Sequence, residues 1–204
     1  MLMNKSFIIK IIVLCLVTIK ASAIEKVILF GDSLMAGYGL PREQHLSVVL
    51  QNKLSLEGHN IEIINGSVSG STSAGGLNIA EWTLSENNID LMILCLGAND
   101  MLRGISPSET KNNLEEIIRI AKSKNINVII AGMIAPTSYG FDYKKSFDKI
   151  FSDLSIKYEL QLIPFLLEGV AQIPKFNLSD GMHPNDQGTI IISNTLKKAI
   201  LENL

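Results

Sequence analysis

Strand-like and helix-like segments alternate along almost the whole of this 204-residue chain, which predicts an α/β fold with a parallel sheet and helices on both faces. Two observations carry the prediction. Five short runs rich in Ile, Val and Leu fit strands that are covered on both sides. Between them lie longer segments whose apolar residues recur every three or four positions.

The five runs are Lys26 to Gly31, Ile61 to Ile64, Leu91 to Gly97, Asn127 to Met133, and Leu160 to Phe165, which Pro164 closes. They predict a five-stranded parallel sheet. In the first intervening segment Leu46, Val49, Leu50 and Leu54 share one helix face. A second helix is expected over Gly75 to Asn87. Ser106-Pro107-Ser108-Glu109 supplies a cap residue and an early proline for a third, which turns Leu114, Ile117, Ile118 and Ala121 inward. A fourth covers Tyr143 to Lys157. The last runs from Asn185 to Glu202, with Ile192, Leu196, Ala199 and Ile200 on its inner face. No repeat, low-complexity tract or linker interrupts the pattern.

The first 23 residues stand apart. Lys5 and Lys10 precede an apolar stretch from Ile11 to Ile19, and Ala21-Ser22-Ala23 suits cleavage between small residues. That is the pattern of a secretory signal peptide cut after Ala23. The stretch is far short of the roughly 20 residues a membrane span needs, so no stable anchor is expected. Leu14 is too bulky for a lipid-attachment site at Cys15. Residues 24–204 then form one exported domain, periplasmic or secreted, of a size that suits a single core.

The whole chain carries a net charge of −2 at pH 7. The leading segment holds Lys5, Lys10 and Lys20 and no acid, so the remainder is more acidic still. Such a chain, without a basic run, is a poor candidate for binding nucleic acid. After cleavage Cys95 is the only cysteine, so no disulfide forms within the chain. Its apolar neighbours make it a buried small hydrophobe rather than an activated thiol. No sustained coiled-coil pattern appears, and a monomer is expected.

Open parallel sheets bind ligands beyond the C-terminal ends of their strands. Gly31-Asp32-Ser33 follows the first predicted strand, Asn65 to Gly70 the second, and Asn99 the third, so three motifs converge on one edge. Near the C-terminus Asp180 and His183 stand three residues apart. A tight turn there directs Asp180 to Nδ1 of His183 and leaves Nε2 for Ser33. One chain thus holds a nucleophile, a base and an orienting acid. The Asn99 amide and the backbone N–H groups of Gly70 and Ser33 are candidate donors to an oxyanion.

Each of these residues also has an ordinary reading. Ser33 fits a helix cap or turn, with Gly31 giving the backbone freedom. Asp180-Gly181 is a common turn, and Asn99-Asp100 a common cap. His45, on a predicted amphipathic helix, and His59, in a turn expected from its Gly58 neighbour, read as surface residues. Asn65-Gly-Ser and Asn177-Leu-Ser match glycosylation sequons, though Asn65-Gly66 is better explained as a turn. There is no Gly-x-Ser-x-Gly elbow, no zinc-like spacing, no Walker loop and no dinucleotide fingerprint. No metal or cofactor is expected.

Gly-Asp-Ser-Leu at 31–34, Gly70, Gly-x-Asn-Asp at 97–100 and Asp-x-x-His at 180–183 occur in that order. The ordered set resembles the four blocks of the SGNH, or GDSL, hydrolase superfamily, and it covers nearly all of residues 24–204. The segments 96–104, 139–143 and 162–166 resemble its branch of bacterial thioesterases, lysophospholipases and arylesterases. The resemblance implies a flavodoxin-like three-layer α/β/α sandwich. It also implies Ser33 as nucleophile, Gly70 and Asn99 as oxyanion donors, and Asp180 and His183 as the rest of a triad. The expected function is an exported serine hydrolase that cleaves small-molecule acyl esters or thioesters through an acyl-enzyme. One alternative is a carbohydrate O-deacetylase on the same scaffold, against which the single tryptophan, Trp82, stands. Another is a non-catalytic flavodoxin-like module for a phosphate-bearing ligand, in which pairing Asp180 with His183 would serve no purpose.

Overall fold

A computed structural model describes residues 24–85 and 88–204. The segment read as a signal peptide lies outside the described residues, as does Asn87, the expected end of the second helix. All five apolar runs become strands: β1 (Lys26–Gly31), β2 (Glu62–Asn65), β3 (Leu91–Cys95), β4 (Asn127–Ala131) and β5 (Gln161–Ile163). They form one parallel sheet in the order β2-β1-β3-β4-β5. β3 ends before its apolar run does, because Gly97 takes φ +116° and turns the chain out of the sheet while still buried.

Among the described residues, seven helices connect and follow the strands: α1 (Ser33–Ala36), α2 (Leu46–Leu56), α3 (Ser73–Thr83), α4 (Ala98–Leu102), α5 (Pro107–Ser123), α6 (Phe141–Tyr158) and α7 (Asp186–Leu201). The step from β1 to β2 runs one way across the sheet and every later step runs the other way. Right-handed crossovers therefore put α2 on one face and α3, α5 and α6 on the opposite one. The packing agrees: α2 lies against α7, while α3 packs on α5 and α5 on α6. This is the flavodoxin-like three-layer sandwich.

The core sits on both faces of β3, whose five residues are all buried. Leu114, Ile117, Ile118 and Ala121 of α5 are buried, as are Ile192, Leu196, Ala199 and Ile200 of α7. Local chemistry trims the helix ends. The Thr72 hydroxyl accepts the Gly75 N–H at 3.1 Å, so α3 starts two residues ahead of its predicted start. Beyond its end, the Ser85 hydroxyl donates to the Trp82 carbonyl at 2.6 Å and closes the last turn. α1 and α4 have no counterpart in the sequence reading, since helices this short carry no apolar period. Among the described residues no helix is long and apolar enough to cross a membrane.

Candidate active site

The strand order reverses between β1 and β3, so the crevice of an open sheet lies beyond their C-terminal ends. Ser33 follows β1 there and Asn99 follows β3. Gly31 brings them close: a Cβ on it would stand 2.6 Å from the Cys95 carbonyl oxygen. Its φ is not positive, so the absence of a side chain, rather than backbone freedom, is what this position uses.

Ser33 is the first residue of α1 but not its cap. Asp32 is the cap, with its Oδ1 accepting the Leu34 N–H at 3.1 Å. The Ser33 hydroxyl is therefore left for His183, whose Nε2 lies 3.0 Å from Ser33 Oγ. The other imidazole nitrogen, Nδ1, lies 2.7 Å from Asp180 Oδ2. A tight turn sets this pair. Asp180 Oδ1 accepts the N–H of Met182 at 2.9 Å and of His183 at 3.0 Å, and Gly181 between them takes φ +70°. The His183 and Met182 backbone N–H groups, with the imidazole, hold the Asp180 carboxyl down to about 2. It is therefore ionised throughout the neutral and mildly acid range.

The turn is braced from behind. The His183 carbonyl accepts the Leu178 N–H at 2.7 Å. Asn177, buried, donates to the carbonyls of Val170 at 2.7 Å and Ile173 at 2.8 Å. Its amide is committed to the interior, which removes the second sequon from consideration. Asn65 instead accepts the Ser67 N–H at 3.1 Å, the turn role read from its sequence. Tyr38 covers the other side of His183, with ring centroids 4.5 Å apart.

Gly70 has φ +78°, and a Cβ there would meet only the Arg103 guanidinium at 3.9 Å. The backbone conformation, not crowding, is what calls for glycine. Arg103 donates to the Gly70 carbonyl at 3.0 Å. Asn99 sits within α4, and Gly97 occupies the cap, so the capping role offered by the sequence does not apply. The Asn99 Nδ2 donates to Asp32 Oδ2 at 3.2 Å. Asp100 is fully buried and accepts the N–H of Ser73 at 2.7 Å, along with the hydroxyls of Ser73 and Thr110. It thereby ties the start of α3, just after Gly70, to α4 and α5.

Ser33, Gly70, Asn99 and His183 all line one cavity of about 960 Å³. Tyr38, Met101, Met133, Ile134, Phe165 and Leu167 give it largely apolar walls. Lys144 stabilises one wall by donating to the Ala135 carbonyl at 2.7 Å and pairing with Asp148 at 2.6 Å. The remaining histidines lie elsewhere. His45 is not on a helix face: it precedes α2, half-buried, with Nε2 3.1 Å from the Leu40 carbonyl. Cys95 is buried, and burial together with the Asp32 carboxylate pushes its thiol well up, which makes it a poor nucleophile.

Asp32, Asp100, Arg103 and Tyr38 were not singled out from the sequence. Asp32 and Asp100 directly neighbour Ser33 and Asn99, and that adjacency was the available signal. Arg103 and Tyr38 approach the site only through folding.

The fold and the proteins this chain resembles together define the class as an ester hydrolase. The chain belongs to the GDSL-like Lipase/Acylhydrolase family, whose model matches residues 29–189. It is 34% identical over 184 residues to an arylesterase of Vibrio mimicus, covering 90% of this chain and 92% of that protein. It is 30% identical over 187 residues to thioesterase 1/protease 1/lysophospholipase L1 of Escherichia coli strain K12, covering 92% and 88%. Among solved structures, AlinE4, an SGNH-hydrolase family esterase, superposes with a TM-score of 0.74 at 37% identity, covering 89% of this chain and 97% of that one.

Proposed function

We propose that this protein is an exported serine hydrolase that cleaves acyl esters and thioesters through an acyl-enzyme on Ser33. The observation that carries the reading is the contact of His183 Nε2 with Ser33 Oγ at 3.0 Å, while its Nδ1 lies 2.7 Å from Asp180. His183 takes the hydroxyl proton as Ser33 attacks the acyl carbonyl. Asp180, ionised, holds the imidazole in the tautomer that presents Nε2 and stabilises the imidazolium. The oxyanion rests on the N–H groups of Ser33 and Gly70 and on the Asn99 amide. The alcohol or thiol leaves with the proton from His183. Water then adds to the acyl-enzyme by the same route, releases the acid and restores Ser33.

The largely apolar cavity supports acyl chains as the bound part of the substrate. Each methylene that stays inside contributes about 0.8 kcal/mol. Export rests on residues 1–23 serving as a cleaved signal peptide, with residues 24–204 acting as a monomeric domain. A fluorophosphonate probe and a series of chromogenic esters from acetyl to dodecanoyl test the reading. The probe should label wild type and miss Ser33→Ala, and kcat/KM should rise with chain length over the series. Equal labelling of both proteins would remove Ser33 from the chemistry. A preference for acetylated sugars over the longer esters would point to the deacetylase alternative.

A further inference from the structure

Asp32 is a buried carboxylate to which the hydrolytic steps assign no task. It is 1% exposed and lies between Ser33 and Asn99. Its two oxygens serve two donors: Oδ1 takes the Leu34 N–H at 3.1 Å, and Oδ2 takes the Asn99 Nδ2 at 3.2 Å. A carboxylate has no hydrogen to give, so only the nitrogen end of the Asn99 amide can face it. That nitrogen carries two hydrogens. With one on Asp32, the other is free for the cavity that Asn99 lines together with Ser33 and Gly70.

We infer that Asp32 is the positioning residue for the Asn99 oxyanion donor, and that it holds Asn99 in place only while ionised. The inference rests on the hydrolytic reading of the site and adds a proton switch to it. Two donors need two acceptors. A protonated Asp32 carries a hydrogen on one oxygen, which leaves that oxygen a much weaker acceptor for its N–H partner. The Leu34 N–H belongs to the backbone of α1 and is fixed. The Asn99 amide hangs on rotatable bonds and is the one that turns away.

The surroundings place this switch in the working range of a hydrolase. Burial raises the Asp32 carboxyl, and the Leu34 N–H, the Asn99 amide and the charge of His183 pull it part of the way back, while Asp100 pushes it up; it settles at about 6. Cys95, at the end of β3, keeps its proton and offers no compensating charge. Asp32 is thus ionised at neutral pH and protonated in mild acid. The acid limb of turnover should therefore carry the protonation of Asp32 in addition to that of the general base.

The test is kcat against pH, on a saturating chromogenic ester, for wild type, Asp32→Asn, Asn99→Ala and the double variant. In wild type the acid limb should fall more steeply than a single protonation allows. Asp32→Asn retains only one acceptor, so its limb should reduce to one proton. Its kcat at pH 8 should drop about 10- to 100-fold with little change in KM, the cost of a misplaced donor. The double variant should be no slower than Asn99→Ala, because Asp32 acts only through Asn99. A one-proton limb in wild type, with losses that add in the double variant, overturns the role and leaves Asp32 as a helix cap.

A second measurement does not depend on an Asp32 variant folding. The side-chain amide resonance of Asn99, identified by its loss in Asn99→Ala, should shift with pH and keep doing so in His183→Ala. A shift that vanishes with His183 overturns the inference. Turnover that survives Ser33→Ala would instead sink the hydrolytic reading, which is a separate result.

Discussion

The Ser33 hydroxyl can face His183 because Asp32, one residue earlier, caps α1. Asn99 is likewise free of capping duty, since Gly97 begins α4. Removing its amide should therefore cost rate far more than stability. Asn99→Ala is expected to lower kcat roughly 10²- to 10³-fold with KM little changed, and to cost only about 1–3 kcal/mol of stability at neutral pH, from the Asp32 oxygen left without its Nδ2 partner. Asn99→Asp should be at least as damaging, because a carboxylate repels the oxyanion. Loss of melting temperature with near-normal kcat would return Asn99 to a structural role. Asp32 makes the opposite exchange. Its carboxyl is raised from 3.8 to about 6 in the folded protein, so the folded state binds the proton more tightly. Stability contributed by the protonated form is present below pH 4 and is lost as pH rises through 6. Measured against Asp32→Asn, which does not titrate, wild type should lose about 3 kcal/mol between pH 4 and pH 8. Urea unfolding of both proteins at the two pH values checks it, and a constant difference would contradict the burial argument.

The turn that carries Asp180 and His183 is held between α7 and the segment 170–177. Gly188, in the first turn of α7, sets the spacing. A Cβ there would stand 2.3 Å from the Phe176 carbonyl oxygen and 3.0 Å from Pro184. Helix propensity alone makes Gly188→Ala stabilising by about 1 kcal/mol. The clash is with backbone, which cannot rotate away, so overpacking decides the sign. We expect a net loss of about 1–3 kcal/mol. The His183-to-Ser33 contact should loosen with it, and kcat should fall together with the melting temperature. A more stable Gly188→Ala protein would show that the helix shifts freely and that its position does not set the turn.

Across the molecule, the sheet holds together from its first described residues onward. Ile24 is 5% exposed, and the backbone N–H groups of Glu25 and Lys26 donate to Asp90 at 2.8 and 2.9 Å. A chain begun at Ile24 should therefore fold with the melting temperature and kcat/KM of the full-length protein. One begun at Val27 loses the buried Ile24 and both bonds to Asp90, and should be at least about 2 kcal/mol less stable. If the chain begun at Ile24 failed to fold, residues 1–23 would be part of the domain rather than a removable leader.

The periods of the apolar residues were enough to read five strands, five of the helices and their alternation, because burial on a sheet or helix face repeats every two or every three to four residues. The right-handed crossover then turned that alternation into a three-layer fold. The ordered blocks singled out Ser33, Gly70, Asn99, Asp180 and His183: the first three follow predicted strands, and the last two stand three residues apart in a turn signal. Periodicity is silent on elements of one turn, so α1 and α4 went unread, and with them the assignment of caps to Asp32 and Gly97 rather than to Ser33 and Asn99. His45 was misplaced for the same reason: the apolar period does not mark where α2 begins. Contacts between distant segments lay further still from the sequence. The Asp32–Asn99 bond joins residues 67 apart, and the Arg103–Gly70 bond residues 33 apart. The apolar period along the chain shows which face is buried, but which donor meets which acceptor depends on the distance between two loops, and only the packed sheet sets that distance.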